Sequence, residues 1–399
     1  MKDEKKGLVP ALRFPEFQDA GKWKAQKIGQ YLTESRVKGG KGDVAKKLTV
    51  KLWGNGVYEK QEAVKGSANT QYYRRKAGQF IYSKLDFLNQ AFGIIPEHLD
   101  NYESTVDLPC FDASDELDVR FLLEYVQRKD FYKKYGEIAD GGRKAKRIQV
   151  ETFLDFPIFL PKPREQKKIA DCLSSLDALI AAQADKVDAL KTHKKGLMQQ
   201  LFPREAETVP RLRFPEFRDA EEWSQINVSE FAKITTGDKD TQNKVEDGAY
   251  PFFVRSQTVE RIDSYSFDGE AVLTSGDGVG VGKIYHYIVG KFDFHQRVYC
   301  IYDFAENVSG KYFYLYFAAH FYNRVMQLSA KNSVDSVRMA MIADMPILVP
   351  SSDEQHKIVH CLFTIDELIA AHTEKLEALK IHKKGLMQQL FPSPEAITP

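Results

Sequence analysis

The chain has 399 residues, of which 43% are apolar and 28% charged, with a formal net charge of +1. That length holds two domains with separate cores, and the composition is that of an ordinary soluble protein. No apolar run approaches the ~20 residues of a membrane-spanning helix, and the opening MKDEKKGLVPALRF is too charged for a signal peptide. Cys110, Cys172, Cys300 and Cys361 lie far apart without a CxxC pair, which speaks against a zinc site or a disulfide framework. The expected compartment is the cytoplasm, with no membrane partner.

In chain order, the first marked phrase is Val9-Pro10-Ala11-Leu12-Arg13-Phe14-Pro15-Glu16-Phe17, closing on Trp23. It opens a first variable region, 1–163, that reads as α+β: strand-like Gln79–Ser83 and Phe156–Leu160, and a helix over Val119–Lys134. Lys and Arg crowd residues 22–84, including Arg74-Arg75-Lys76, and are absent from 85–119. Such segregation suits a chain that turns one face to phosphate. Lys84, Asn89 and Gln90 follow a strand, and Gly142–Arg147 is a compact cationic loop carrying Arg143, Lys144, Lys146 and Arg147.

Next comes a helix expected over 164–202, starting near Pro163 with Glu165 in its first turn, where the helix dipole favours an acid. Ile169, Leu173, Leu176, Ile180, Gln183, Val187, Leu190, Lys194, Leu197 and Leu201 recur at alternating spacings of four and three, a heptad seam. Gly196 weakens the last turns, as does Gly385 in the second copy. A linker, 203–208, leads to Val209-Pro210-Arg211-Leu212-Arg213-Phe214-Pro215-Glu216-Phe217 and Trp223, the opening phrase again. A second variable region, 209–352, follows.

This region is also read as α+β, with strands at Glu270–Thr274, Gly282–Tyr287, Arg297–Ile301 and Met345–Val349 and a helix over Gly310–Gln327. The glycine-rich run Ser275–Gly280 fails the P-loop and dinucleotide patterns in every frame, so a glycine-rich loop is expected. Gln pairs bidentately with adenine and Arg with guanine. Arg255-Ser256-Gln257 and His295-Gln296-Arg297 therefore suit base edges, and Ser275, Asp277, Lys283, Asn332 and Ser333 complete the candidate DNA-binding set. A second helix, 353–391, starts at Ser351-Ser352 and carries the seam Ile358, Leu362, Ile365, Ile369, His372, Leu376, Leu379, Lys383, Leu386 and Leu390. It matches the first seam at seven of ten places. Residues 392–399 form a tail.

Both helices end in HKKGLMQQLFP, His193–Pro203 and His382–Pro392, so the chain is an internal duplication. The second variable region starts at the end of the first helix and feeds the start of the second. If the helices pair they run antiparallel, with a globular head at each end. About 38 helical residues rise ~57 Å, enough to set a spacing of the ~34 Å between half-sites one DNA turn apart. No catalytic constellation is found. Glu165-x-Lys167 sits at a helix start rather than on a nuclease strand, and His356 and His360 lack the HExxH glutamate.

These phrases resemble the specificity subunit of type I restriction-modification systems over essentially the full chain. The resemblance is carried by Pro163–Ala170, Leu176–Ile180 and His193–Pro203 with their second copies. Asp277–Lys283, Phe294–Arg297 and the first-copy counterpart Tyr82–Asp86 add to it. The resemblance implies two target-recognition domains separated by an antiparallel coiled coil, and a non-catalytic subunit reading a bipartite duplex-DNA target. It also implies two modification subunits that bind S-adenosylmethionine and methylate adenine. In systems that cleave, restriction subunits using ATP and magnesium join them. No cofactor is expected in this chain. The rivals are a scaffold whose heads bind proteins and a fused nuclease or methyltransferase. Salt-dependent duplex binding separates the first from a DNA reader, and activity of the isolated chain would reveal the second.

Overall fold

The computed structural model describes residues 8–61, 66–137, 147–204, 206–278, 280–328 and 336–392. The chain divides into two compact units, 1–183 with 375–399, and 184–374. The division falls inside the two long helices, α1 (Pro163–Leu201) and α2 (Ser352–Leu390), each 39 residues long. Each unit thus combines one head with the start of its own helix and the end of the other.

In the first unit the head is closed by its first and last strands, Lys24–Lys27 pairing antiparallel with Pro157–Leu160. Its four-stranded sheet places Phe80–Tyr82 between Phe92–Ile94 and Cys110–Ala113, with Leu32–Ser35 outermost. Phe80, Tyr82, Phe111 and Phe153 interlock in the core, Tyr82 and Phe153 with centroids 4.6 Å apart. The helix expected over Val119–Lys134 is two helices, Val119–Val126 and Lys129–Gly136. The break falls where Arg128 turns extended as the second helix's N-cap and lays its guanidinium over Tyr125 and Phe391.

The second unit repeats the plan. Ser224–Asn227 pairs with Pro346–Val349, and Phe267–Ser275 lies between Tyr285–Phe294 and Val298–Tyr302, with Lys233–Thr236 outermost. Tyr250–Phe253 and Glu260–Ile262 extend this sheet to six strands. The duplication therefore reaches into regions whose sequences have diverged. The strand expected from Gly282 begins at Tyr285, because Lys283 and Ile284 turn back to hydrogen-bond the Gly280 carbonyl. The helix Gly310–Leu328 packs on the sheet through Tyr312, Phe313, Phe317 and Phe321.

The repeated phrases fasten heads to helices. Arg13 makes a fork to Glu165, at 2.8 and 2.7 Å, and Trp23 Nε1 donates to the same carboxylate at 3.3 Å. Arg213 repeats the fork on Glu354, both bonds 2.8 Å. The neighbouring Gln166 amide donates to the Glu116 and Pro161 carbonyls and accepts from Asp118 N–H. Gln355 does the same with Asn307, Pro350 and Ser309. Leu12 N–H donates to the Gln389 carbonyl in the first unit, and Leu212 N–H to the Gln200 carbonyl in the second. The last turns of each helix have acceptors without an intrahelical donor, and the Leu-Arg-Phe segment supplies one.

The helix ends also fill the cores. Leu390 and Phe391 are buried in the first head, Phe391 5.2 Å from Phe121 and 6.2 Å from Trp23. Leu201 and Phe202 are buried in the second, Phe202 5.6 Å from Tyr316. This anchoring explains why both helices run unbroken through Gly196 and Gly385. Every seam residue of both helices is buried or half-buried, none exposed. The seam lysines are ion-paired across helices: Lys383 Nζ lies 2.7 Å from Asp177 and 3.1 Å from Glu124, and Lys194 Nζ 2.6 Å from Asp366.

Candidate nucleic-acid interface

In the second head the loop after Phe267–Ser275 is pinned at Gly276. Its N–H donates to the Arg297 carbonyl and its carbonyl accepts from Val337 N–H, both at 2.7 Å. A Cβ on Gly276 would stand 2.9 Å from the Arg297 oxygen, so glycine lets the segments close. The next residue, Asp277, collects cations: Arg255 Nη1 at 2.9 Å and Arg297 Nε at 3.7 Å. Arg297 and Gln296 remain exposed, the Gln296 amide 3.4 Å from Asp240. Arg255, Asp277, Gln296 and Arg297 thus converge on one exposed patch with donors and acceptors for base edges and phosphate.

Three neighbours make hydrogen bonds within the head. His295 is buried; its Nδ1 accepts from Arg297 N–H at 2.9 Å and its N–H holds the Phe253 carbonyl. Burial, helped by Arg255, lowers its pKa from the ordinary histidine value, so the ring is neutral at pH 7 and orients the Arg297 backbone. Ser275 is buried and donates to the Asp277 carbonyl at 2.7 Å. Ser256 donates to the Thr258 carbonyl. Exposed Gln257 flanks Ser256, whereas Lys283 leans over the Tyr322 ring at 5.1 Å. Asn332 and Ser333 lie outside the described residues; Ser336, just beyond, bridges to Asp277.

The first head holds an equivalent loop. Lys84 N–H donates to the Asp107 carbonyl and its carbonyl accepts from Ile148 N–H, both at 3.0 Å, the same two bonds that pin Gly276. Asp107 occupies the place of Arg297, and Arg147 Nε lies 3.7 Å from its carboxylate. One scaffold therefore carries different charges in the two heads. Asp86 accepts from Ser83 at 3.1 Å and from Asn89 at 3.4 Å, and Gln90 takes a left-handed backbone with φ 53°. Exposed Arg74 ends the strand Gln71–Arg74. Arg143, Lys144 and Lys146 lie outside the described residues.

Arg75 corrects an expectation. It is 2% exposed, and its guanidinium donates to Ser104 Oγ and to the Ser35, Thr105 and Leu108 carbonyls. Composition could not distinguish it from Arg74, but inside the head it ties strands and has no face for DNA. Sequence reasoning missed Asp240, whose carboxylate faces both Gln296 and His295. It also missed Lys239, whose carbonyl accepts from Gln296 N–H at 2.8 Å. The charged run Asp238-Lys239-Asp240 was the available signal.

Among the described residues, no group of three or more His, Cys, Asp or Glu could hold a metal, and no helix is long and apolar enough to cross a membrane. Burial pushes the Cys110 and Cys300 thiols up to about 12, far from a reactive thiolate.

Each head is thus an α+β domain built on one copy of a repeated long helix. Residues 55–192 and 220–380 match the family profile described as type I restriction modification DNA specificity domain. The chain belongs to this family. It is 30% identical over 159 residues to the type I restriction enzyme EcoDI specificity subunit of Escherichia coli, covering 40% of this chain and 34% of that one. It is 25% identical over 268 residues to the MjaVIII specificity subunit of Methanocaldococcus jannaschii, covering 61% and 63%. The matched parts thus span about a third and just under two thirds of those relatives. The fold is similar to a crystal structure of a type I restriction-modification S subunit from M. genitalium, with TM-score 0.63 and 12% identity over 97% of this chain and 100% of that one.

Proposed function

We propose that this chain reads a bipartite duplex-DNA target, one half-site per head, with α1 and α2 paired as an antiparallel coiled coil that sets the gap. The observation that carries this reading is the recurrence of one pinned loop at the same place in both heads, carrying Arg297 and Gln296 in one and Arg147 and Asp107 in the other. Divergent side chains on one scaffold are what two different half-sites require. The coil is supported by the seam's burial and by the matched pairs Lys383–Asp177 and Lys194–Asp366.

In this reading the chain acts in the cytoplasm and directs adenine methylation by two modification subunits that bind S-adenosylmethionine. Restriction subunits using ATP and magnesium cleave, and the chain itself holds no cofactor. Leu179 and Leu368 occupy the same place in the two helix copies and are 46% and 45% exposed, giving two equivalent apolar contacts for two partners. The linear division into heads 1–163 and 209–352, helices 164–202 and 353–391, linker 203–208 and tail 392–399 describes the modules this function exchanges.

Replacing residues 224–349 with another recognition region should change one half of the methylated motif and leave the other intact. Sequencing methylated adenines before and after the swap reads this directly, and a change in both halves would contradict the modular reading.

Arg297→Ala should relax preference at one base position, costing about 1–3 kcal/mol if the contact is bidentate. Arg147→Ala should weaken all sequences alike and reduce the salt slope by about one unit. Binding isotherms at several salt concentrations distinguish the two, and unchanged slopes would remove Arg147 from the phosphate contacts.

A further inference from the structure

The chain has three tryptophans. Trp23 and Trp223 are 0% and 4% exposed, whereas Trp53 is 60% exposed. Trp53 stands at the tip of a hairpin whose strands, Leu48–Val50 and Val57–Glu59, root in a core of Leu48, Val50, Val57 and Ile81. The tip is held firmly. Lys51 N–H donates to the Gly56 carbonyl at 2.9 Å, and the Asn55 side chain donates to the Leu52 carbonyl at 2.8 Å.

Trp53 itself has φ 60°, a left-handed backbone that a bulky side chain rarely adopts. Backbone held this way clusters at functional sites, where the surroundings over-determine it. Here they do. Trp53 N–H donates to the Asn89 carbonyl at 2.7 Å and Gly54 N–H to the Gln90 carbonyl at 3.0 Å. The backbone of Trp53 is therefore fixed to the polar loop of the first head's candidate interface.

The surroundings indicate what the ring meets. Exposed apolar side chains accompany it at Leu52, 39%, and Tyr58, 46%, on the hairpin, and at Leu85, 43%, in the loop it is bonded to. These few side chains fall short of the ~1,000 Å² that a specific protein interface buries. They match the apolar wedges with which proteins part a base step. Lys51, whose Nζ sits 4.1 Å over the Tyr58 ring, supplies a cation beside the tip for the flanking phosphate.

We infer that Trp53 is an aromatic wedge that stacks on a base step within the half-site read by the first head. This rests on the proposed DNA reading. The second head offers Arg255 and Arg297 at its interface instead, so the two half-sites would be read with different chemistry, one by stacking and one by polar contact.

Because the other two tryptophans are buried, acrylamide access reports on Trp53, and the difference from Trp53→Asn isolates its emission. The full chain is titrated with a dye-labelled duplex carrying the methylated motif mapped in the host. Anisotropy reports binding, while indole emission and acrylamide quenching report the ring. Stacking predicts quenched emission and lost acrylamide access on the cognate duplex, but not on one with only the first half-site scrambled. In complex with modification subunits, the difference between wild type and Trp53→Asn isolates the same signal. Trp53→Asn removes the ring while suiting the left-handed backbone, and should weaken cognate binding about tenfold. Trp53→Phe should restore most of it. Tight, specific binding with unchanged emission and access would overturn the wedge and leave DNA reading intact. No salt-dependent duplex binding by either form would overturn both.

Discussion

Replacing Glu165 with alanine should destabilise the first unit by about 3–5 kcal/mol, the loss expected when one member of a buried ion pair is removed and its partner stays uncompensated. Arg13 and Glu165 have side chains only 8% and 2% exposed, so water cannot take the carboxylate's place. An arginine keeps its charge at ordinary pH whatever its neighbours, so with the carboxylate gone the Arg13 cation is left stranded. Glu354→Ala should act alike on the second unit, where Arg213 and Glu354 are 8% and 1% exposed. It should be milder by about 1 kcal/mol, since Trp23 also loses a hydrogen bond to Glu165, whereas Trp223 Nε1 has no such partner among the described residues. Denaturant midpoints, with exchange protection of the Lys24–Lys27 and Pro157–Leu160 pairing, measure the difference. Arg13→Met with Glu165→Leu should recover most of the loss, because an apolar pair of similar volume carries no unpaired charge. A loss under about 1 kcal/mol in Glu165→Ala would mean that the fork is a surface contact.

The seam shows how much of this architecture a single sequence discloses. Spacings of four and three picked out ten residues in each of α1 and α2, all of them buried or half-buried, because burial on a helix follows its period. The same rule says nothing about which charged residue pairs with which. Lys194 and Lys383 hold the same place in the two seams, and only the folded chain identifies Asp366 and Asp177 as their partners. The fork of Arg13 on Glu165 spans 152 residues and leaves no local pattern. Its signal was the co-repetition of LRFPEF with the Glu-Gln dyad, both duplicated and both otherwise unexplained. In the heads, strand cores such as Phe80–Tyr82 were legible from β-branched and aromatic runs. Arg74 and Arg75, adjacent and chemically alike, could not be separated, since strand alternation sends one outward and the other inward. Ser275 and His295 misled for a related reason: short polar residues beside a tight turn serve its backbone as readily as a ligand.

A half-length chain, residues 1–207, should form an antiparallel dimer and direct methylation of a palindromic motif. The first head needs more than its own segment to complete its core. Leu386, Met387, Leu390 and Phe391, from the end of α2, pack in it, and Phe391 touches Trp23, Phe121 and Tyr125. Losing the Phe391 ring alone costs about 3–5 kcal/mol, a large share of a domain's ~5–15 kcal/mol stability. The half-chain carries an identical His193–Pro203 segment, but its own copy cannot fill the gap. It ends a continuous 39-residue helix, about 58 Å from the start that docks on the head. A second molecule can supply Phe202 where Phe391 stood, Lys194 opposite Asp177, and Gln200 for Leu12 N–H. The exchange is reciprocal, so the dimer is isologous. Two identical heads then read the first half-site in inverted order. Light scattering on the purified half-chain should give a dimer at micromolar concentration, and Phe202→Ala should shift it to unstable monomer. Co-expressed with the modification subunit, the half-chain should yield methylated adenines in a symmetric motif. A stable monomer, or a motif that stays asymmetric, would show that α1 and α2 do not exchange ends in this way.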